Sequence, residues 1–173
     1  AIELSAIGLA PRRVPADVTS PAVFAHATPN GAGLVDDIIA AADGINASPR
    51  RSTPGTPIPP SSTFSLLRRD GNVRAAVLAE YDDTYLDPFH GSAWDVGVEA
   101  VDPARMAAVA VVLAKALINI GAGFPAGSAH AAAATGSIDA AAVEATTREL
   151  VACLVDPALG FDCARAKALF APA

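Results

Sequence analysis

The order of apolar and polar positions predicts strands and helices in alternation. Residues 2–7 alternate between apolar and polar, the period of a half-buried strand. The apolar run at 22–25 is either a second strand or an irregular core segment, and Asn30-Gly31 predicts a turn. Residues 73–79 are almost all apolar, which is typical of a central strand covered on both faces. Only this last strand is convincing, so we expect an incomplete parallel or mixed sheet.

Helical spacing appears in several later segments. Asp102-Pro103 predicts the start of the clearest helix, because Asp is a good cap and Pro suits the first turn. Its apolar positions recur every three or four residues, and Gly121 and Gly123 are expected to end it. One further helix is expected from Leu34 to a stop at Gly44, and a short one is expected to begin after a Ser61 or Ser62 cap and to end before Gly71. Another is expected from about 137 to 155, and a short one is expected after Cys163. Residues 129–134 are expected to be irregular or weakly helical. Helices packed on the faces of a sheet define an α/β fold.

Composition and charge exclude some functions. The chain has 173 residues, a net charge of −6 and 41 alanines, which favour helix but add little core volume. The basic pairs are far apart, so a nucleic-acid surface is not expected. The apolar stretch 106–120 contains Lys115 and is shorter than the roughly 20 residues a bilayer requires. The chain begins inside a predicted strand, and we expect both ends to be cuts in a longer protein.

Two motifs suggest covalent modification. Cys153 and Cys163 are separated by a turn at Pro157 and Gly160, so they form either a disulfide or two unrelated buried thiols. Asn46-Ala47-Ser48 matches an N-glycan acceptor, although Pro49 follows it directly.

The acidic, aromatic stretch 81–95 contains the strongest candidates for chemistry. It follows the best strand, where open α/β sheets place ligands. Asp82, Asp83, Asp87, His90 and Asp95 offer metal ligands, but a solvated loop pinned to the core by aromatic side chains is favoured. No nucleophile elbow or Gly-rich phosphate loop is present, and neither cysteine has a neighbouring histidine. The sequence therefore predicts no catalytic residues.

Several segments, in this order, resemble the nicastrin family. They are Pro57 to Ser62 before Phe64-Ser65-Leu66-Leu67-Arg68, the strand residues Ala76-Val77-Leu78, and the loop ending Ser92-Ala93-Trp94-Asp95. Ile2-Glu3-Leu4 and Phe24 to Pro29 fall in the expected order upstream, and a Leu-x-x-Cys-Leu helix is matched by Leu150 to Leu154. The resemblance covers roughly residues 1–121.

The resemblance implies part of a three-layer α/β/α fold of the zinc-aminopeptidase type, without metal, cofactor or catalysis. Residues 1–125 would be the C-terminal part of that lobe, and residues 126–173 an alanine-rich, cysteine-containing helical extension. Leu86 would stand where active relatives have a zinc-ligand histidine, while a shifted register would bring His90 there. The Asp-Tyr-Ile-Gly-Ser motif of the family is absent, so no substrate-contact residue is carried over.

The function implied is that of a γ-secretase subunit. Such a chain would lie on the lumenal or extracellular side of a single-pass membrane protein, with its membrane span elsewhere. Its partners would be presenilin, the other γ-secretase subunits and type I membrane protein substrates. Two alternatives stay open: part of a zinc-dependent aminopeptidase or carboxypeptidase with His90 as a ligand, and a homodimeric receptor ectodomain of the transferrin-receptor type.

Overall fold

The fold is a small mixed sheet with helices packed against it. The computed structural model describes residues 1–5, 7–8, 22–46, 49–85, 101–125, 127–155 and 162–170. The strands are β1 (Ile2–Ser5), β2 (Phe24–Ala27), β3 (Arg50–Arg51) and β4 (Ala76–Ala79). The helices are α1 (Ala32–Ala41), α2 (Thr63–Arg69), α3 (Pro103–Ala122), α4 (Ala129–Thr135), α5 (Ala140–Val155) and α6 (Ala164–Phe170). The predicted α/β class is confirmed.

The sheet has the strand order β1-β4-β2-β3. β1 pairs parallel with β4, β2 pairs antiparallel with β4, and β3 pairs parallel with β2. All four residues of β4 are buried, as its continuous apolar run predicts for a central strand. The segment at 22–25, left open between strand and irregular core, belongs to the β2 region, with the strand beginning at Phe24.

One apolar core lies between the sheet and two helices. Ala76 and Leu78 of β4 point into it, together with Val35 and Ile38 of α1 and Val109 of α3. Each of these five side chains is at most 1% exposed. Burial of branched aliphatic side chains stabilises this part of the chain, at roughly 25 cal/mol per Å² of apolar surface.

The turn between β2 and α1 fits closely against the approach to β4. A Cβ on Gly31 would lie 2.1 Å from the carbonyl oxygen of Ala75, so only glycine fits there. The Thr28 hydroxyl donates to the carbonyl of Val73 at 2.7 Å and accepts the amide of Ala75 at 3.0 Å. These contacts fix where α1 begins, and they confirm the turn predicted at Asn30-Gly31.

Helix α3 has the predicted cap but runs further than expected. Asp102 accepts the amides of Ala104 and Arg105, and Pro103 is the first helical residue. The helix continues through Gly121 and ends at Gly123, whose φ of +67° is the left-handed cap conformation. With 20 residues, α3 is long and apolar enough to cross a membrane by length and composition alone. It packs against α1, α4 and α5, and its residues Val109, Val112 and Ala116 lie in the apolar core.

Two further predictions can be compared with the structure. Of the two alternatives for 129–134, irregular or weakly helical, the helical one is confirmed: the segment belongs to α4, which begins after Ser128, whose side chain accepts the amide of Ala131. Alanine's high helix propensity accounts for this helix. Ser62 precedes α2, but its side chain caps no amide. Instead, the Glu3 carboxylate accepts the backbone amides of Ser62 and Thr63 and both their hydroxyls.

Candidate functional site

The candidate site is the carboxyl end of β4, where the acidic, aromatic stretch begins. Glu80 and residues 81–85 of this stretch lie in the described part of the chain, next to the start of α3. Leu86, His90 and the rest of the loop to Asp95 lie outside the described residues. The site is therefore built from Glu80 to Tyr85 and from the side chains that contact them.

Glu80 forms a buried ion pair with Arg105. The Glu80 carboxylate accepts the Nε–H of Arg105, and the two side chains are only 2% and 10% exposed. Arg105 lies in the first turn of α3, which the Asp102 cap fixes. This acidic group at the strand end is thus paired with a cation. Sequence reasoning missed the pair, although an acidic residue directly after a buried strand is a signal that a partner is needed.

His26 lies beside the same strand end and is 1% exposed. Its Nε2 is 2.7 Å from the carbonyl oxygen of Tyr81; because a carbonyl oxygen can only accept, Nε2 carries a hydrogen and donates it. The ring lies 5.6 Å from that of Tyr81, which in turn lies 4.7 Å from that of Tyr85. Burial, and to a lesser extent the neighbouring Tyr81, raises the pKa of Tyr85. These rings hold the first part of the stretch on the sheet.

Asp82 is bound to the loop that carries Thr53. Its carboxylate oxygens accept the amide of Thr53 at 2.8 Å and its hydroxyl at 2.6 Å. The Thr53 hydroxyl lowers the pKa of Asp82 most; burial opposes this, and the Thr53 amide and nearby His26 assist it. Asp82 is consequently an ionised carboxylate whose two oxygens are both used within the protein.

The carboxylates of this site bind other parts of the protein. Asp83, the other candidate ligand in view, accepts a hydrogen bond from Thr84 at 3.3 Å. Among the residues that the structure describes, no three His, Cys, Asp or Glu side chains are grouped so that they could hold a metal ion. The carboxylates of Glu80 and Asp82 instead bind a guanidinium and a threonine.

The two modification candidates lie far from this site along the chain. The sulfur atoms of Cys153, in α5, and Cys163, just before α6, are joined, with the Cα atoms 5.7 Å apart. That separation is ordinary for a disulfide. Asn46 is exposed in a turn after α1, while Ala47 and Ser48 of its motif lie outside the described residues. Glycosylation of Asn46 stays a prediction.

The fold of this site and its surroundings is found in a known structure. The crystal structure of the gamma-secretase component nicastrin superposes with a TM-score of 0.62 at 22% sequence identity. The match covers 89% of this chain but only 25% of the nicastrin chain. The present chain therefore has a mixed α/β fold of the aminopeptidase-like class and spans about a quarter of that protein's length.

The sequence itself identifies the family. The family model of the nicastrin large lobe matches residues 20–118, which is more than half of the chain. The chain belongs to the nicastrin family, as its motifs predict. No curated protein has a sequence that matches it.

Proposed function

We propose that this chain is a non-catalytic part of a nicastrin-like subunit of γ-secretase. In this role it helps to screen and recruit substrates and to assemble the complex for intramembrane proteolysis. The observation that carries the proposal is the match of residues 20–118 to the nicastrin large lobe. Catalysis would belong to a presenilin partner, and the substrates would be type I membrane proteins. The chain would lie on the lumenal or extracellular side, with the membrane span in another part of the protein.

The strand-end site supports a non-catalytic role. A hydrolytic site of this fold class needs carboxylates that are free to bind a metal ion or to move a proton. Glu80 is paired with Arg105, and both carboxylate oxygens of Asp82 accept hydrogen bonds from Thr53. We propose that Leu86 occupies the position of a lost metal ligand. These side chains would then hold the loop in shape, and the surface around it would serve for contact with other proteins.

Co-purification from cells tests the assignment to γ-secretase. The intact protein, tagged and expressed in cells lacking their own nicastrin, should co-purify with presenilin and restore cleavage of a type I substrate stub. A matched variant, Arg105→Met, should reduce recovery of the complex because it destabilises the strand end. Arg165→Met, in an exposed ion pair with Glu149, should leave recovery unchanged. Isolation of a homodimer without presenilin would instead support a receptor of the transferrin-receptor type.

Glycan occupancy tests the proposed side of the membrane. If the chain is lumenal and the motif is used, Asn46→Gln should increase gel mobility, and glycosidase treatment should remove the difference between variant and native protein. A control variant, Asn72→Gln, changes an exposed asparagine outside any acceptor motif and should not alter mobility. Unchanged mobility of Asn46→Gln would show that Asn46 carries no glycan.

A further inference from the structure

A partly open cavity lies between α1, α3 and α4, away from the strand-end site. Its volume is about 190 Å³, which is room for several water molecules at about 30 Å³ each. Its walls contain four alanines, Ala40, Ala41, Ala131 and Ala132, whose small side chains leave the space open. The polar residues that line it include Asp43, Lys115, Asn119 and Ser128.

Asn119 is the unexplained residue of this cavity. It is 7% exposed, and its side-chain oxygen has no hydrogen-bond donor among the described residues. Its backbone carbonyl already accepts the amide of Phe124 at 2.9 Å and so completes the end of α3. The helix cap therefore does not need the side chain. A buried amide oxygen without a donor is uncommon in proteins and indicates a missing partner.

The charged residues of the cavity are also unpaired within the described part of the chain. Lys115 lies one turn before Asn119 on α3 and is half-buried, with no carboxylate in contact there. Asp43, just after α1, also lines the cavity and is exposed to solvent. The oxygen of Ser128 accepts the amide of Ala131 at 3.1 Å, which leaves its hydroxyl hydrogen to donate. The cavity thus offers a cation and a hydroxyl donor together with a carboxylate and an amide oxygen.

We propose that this cavity binds a small α-amino acid in its zwitterionic form. The amino-acid carboxylate would accept hydrogen bonds from the Lys115 ammonium and the Ser128 hydroxyl. Its ammonium group would donate to the Asn119 side-chain oxygen and to the Asp43 carboxylate. The cavity volume of about 190 Å³ is suited to an amino acid with a small side chain, such as alanine. The site would then bind the ligand through charge-assisted hydrogen bonds to its carboxylate and to its ammonium group. Molecules that carry only one of these two groups would bind more weakly.

Calorimetric titration of the intact protein with L-alanine tests this site. L-Alanine should bind, whereas propionate, which lacks the ammonium group, and alanine methyl ester, which lacks the carboxylate, should each bind at least about tenfold more weakly. Lys115→Met and Asn119→Leu should weaken alanine binding by about the same factor. Lys167→Met, in an exposed ion pair on α6, should bind alanine like the native protein.

The thermal stability of Asn119→Leu provides a second readout. Because the side-chain oxygen has no partner in the fold, leucine of similar size should leave the melting temperature unchanged or raise it. The proposal is overturned if alanine does not bind the native protein, if propionate binds equally well, if the variants bind alanine normally, or if Asn119→Leu unfolds. Each result is independent of whether presenilin co-purifies.

Discussion

The sheet region and the C-terminal helices are stabilised in different ways. Around β4, the side chains of the sheet, α1 and α3 form one apolar core, and a buried ion pair closes its end. Along the 16 residues of α5, the described buried residues are only Val151 and Cys153, and the ion pairs Glu144–Arg148 and Glu149–Arg165 are exposed. The alanine-rich helices contribute little volume to a core, so covalent bonding matters more there.

This contrast agrees with where the family match falls. The nicastrin model matches residues 20–118, which include most of the core region and end within α3. The helices that follow lie beyond it, although α5 packs along α3. A boundary at residue 125 between the lobe and a helical extension stays a prediction. The family match thus coincides with most of the packed core. The variants below test how differently the two regions are stabilised.

The largest effect is expected from the ion pair at the strand end. Arg105→Met should destabilise the core by about 3–5 kcal/mol, because it leaves the buried Glu80 carboxylate without its cation. Hydrogen exchange of β4 amides in the intact protein measures this loss. The double variant Arg105→Met/Glu80→Leu should recover most of it. Arg165→Met, in an exposed pair of the helical region, is the control and should change nothing measurable. Equal effects of the two single variants would remove the distinction between the regions.

The next effect concerns apolar packing. Leu78 is fully buried, whereas Leu154 is 49% exposed. Leu78→Ala should cost about 2–5 kcal/mol because it leaves a cavity in the core, and Leu154→Ala should stay within about 0.5 kcal/mol. Chemical unfolding, with hydrogen exchange used to follow each region, measures the loss of stability in the two variants. A loss for Leu154→Ala as large as that for Leu78→Ala would mean that another surface covers α5.

The disulfide should matter for the helical region alone. Cys153 and Cys163 are ten positions apart, and a loop of that length predicts a stabilisation of about 2–3 kcal/mol. The double variant Cys153→Ala/Cys163→Ala should increase exchange in α6 and leave β4 unaffected. Mass spectrometry of unreduced protein checks that the bond exists; free thiols at both cysteines would refute it.

The smallest effect is a pH dependence at α2. Burial raises the pKa of Glu3, but hydrogen bonds from Ser62 and Thr63 outweigh it and place the pKa below the ordinary 4.5. Because the folded pKa is lowered, this contribution is present above pH 4.5 and is lost as the pH falls through the folded value. Amide hydrogen exchange at the start of α2 should therefore increase more in acid in the native protein than in the Glu3→Gln variant. The same acid response in the variant would contradict a role for Glu3.

Local sequence signals predict the helices and strands better than the contacts between residues that are distant in the sequence. Asp102-Pro103 and the periodic residues after it identify α3 correctly, and the apolar run before Glu80 identifies β4. The cap of α2 could not be predicted, because Glu3 lies 59 positions before Ser62 and reaches it only through the folded chain. The Glu80–Arg105 pair, separated by 25 positions, was missed for the same reason. Short strands such as β3 have too few residues to show a period.

We propose that this branch of an aminopeptidase-like fold has no metal site. Elemental analysis of the intact, purified protein by mass spectrometry tests it most directly, with His90→Ala and His130→Ala as matched variants. Far less than one zinc per chain is expected in all three proteins, also after dialysis against zinc. One equivalent of zinc that is lost in His90→Ala and kept in His130→Ala would contradict it and support a metallopeptidase.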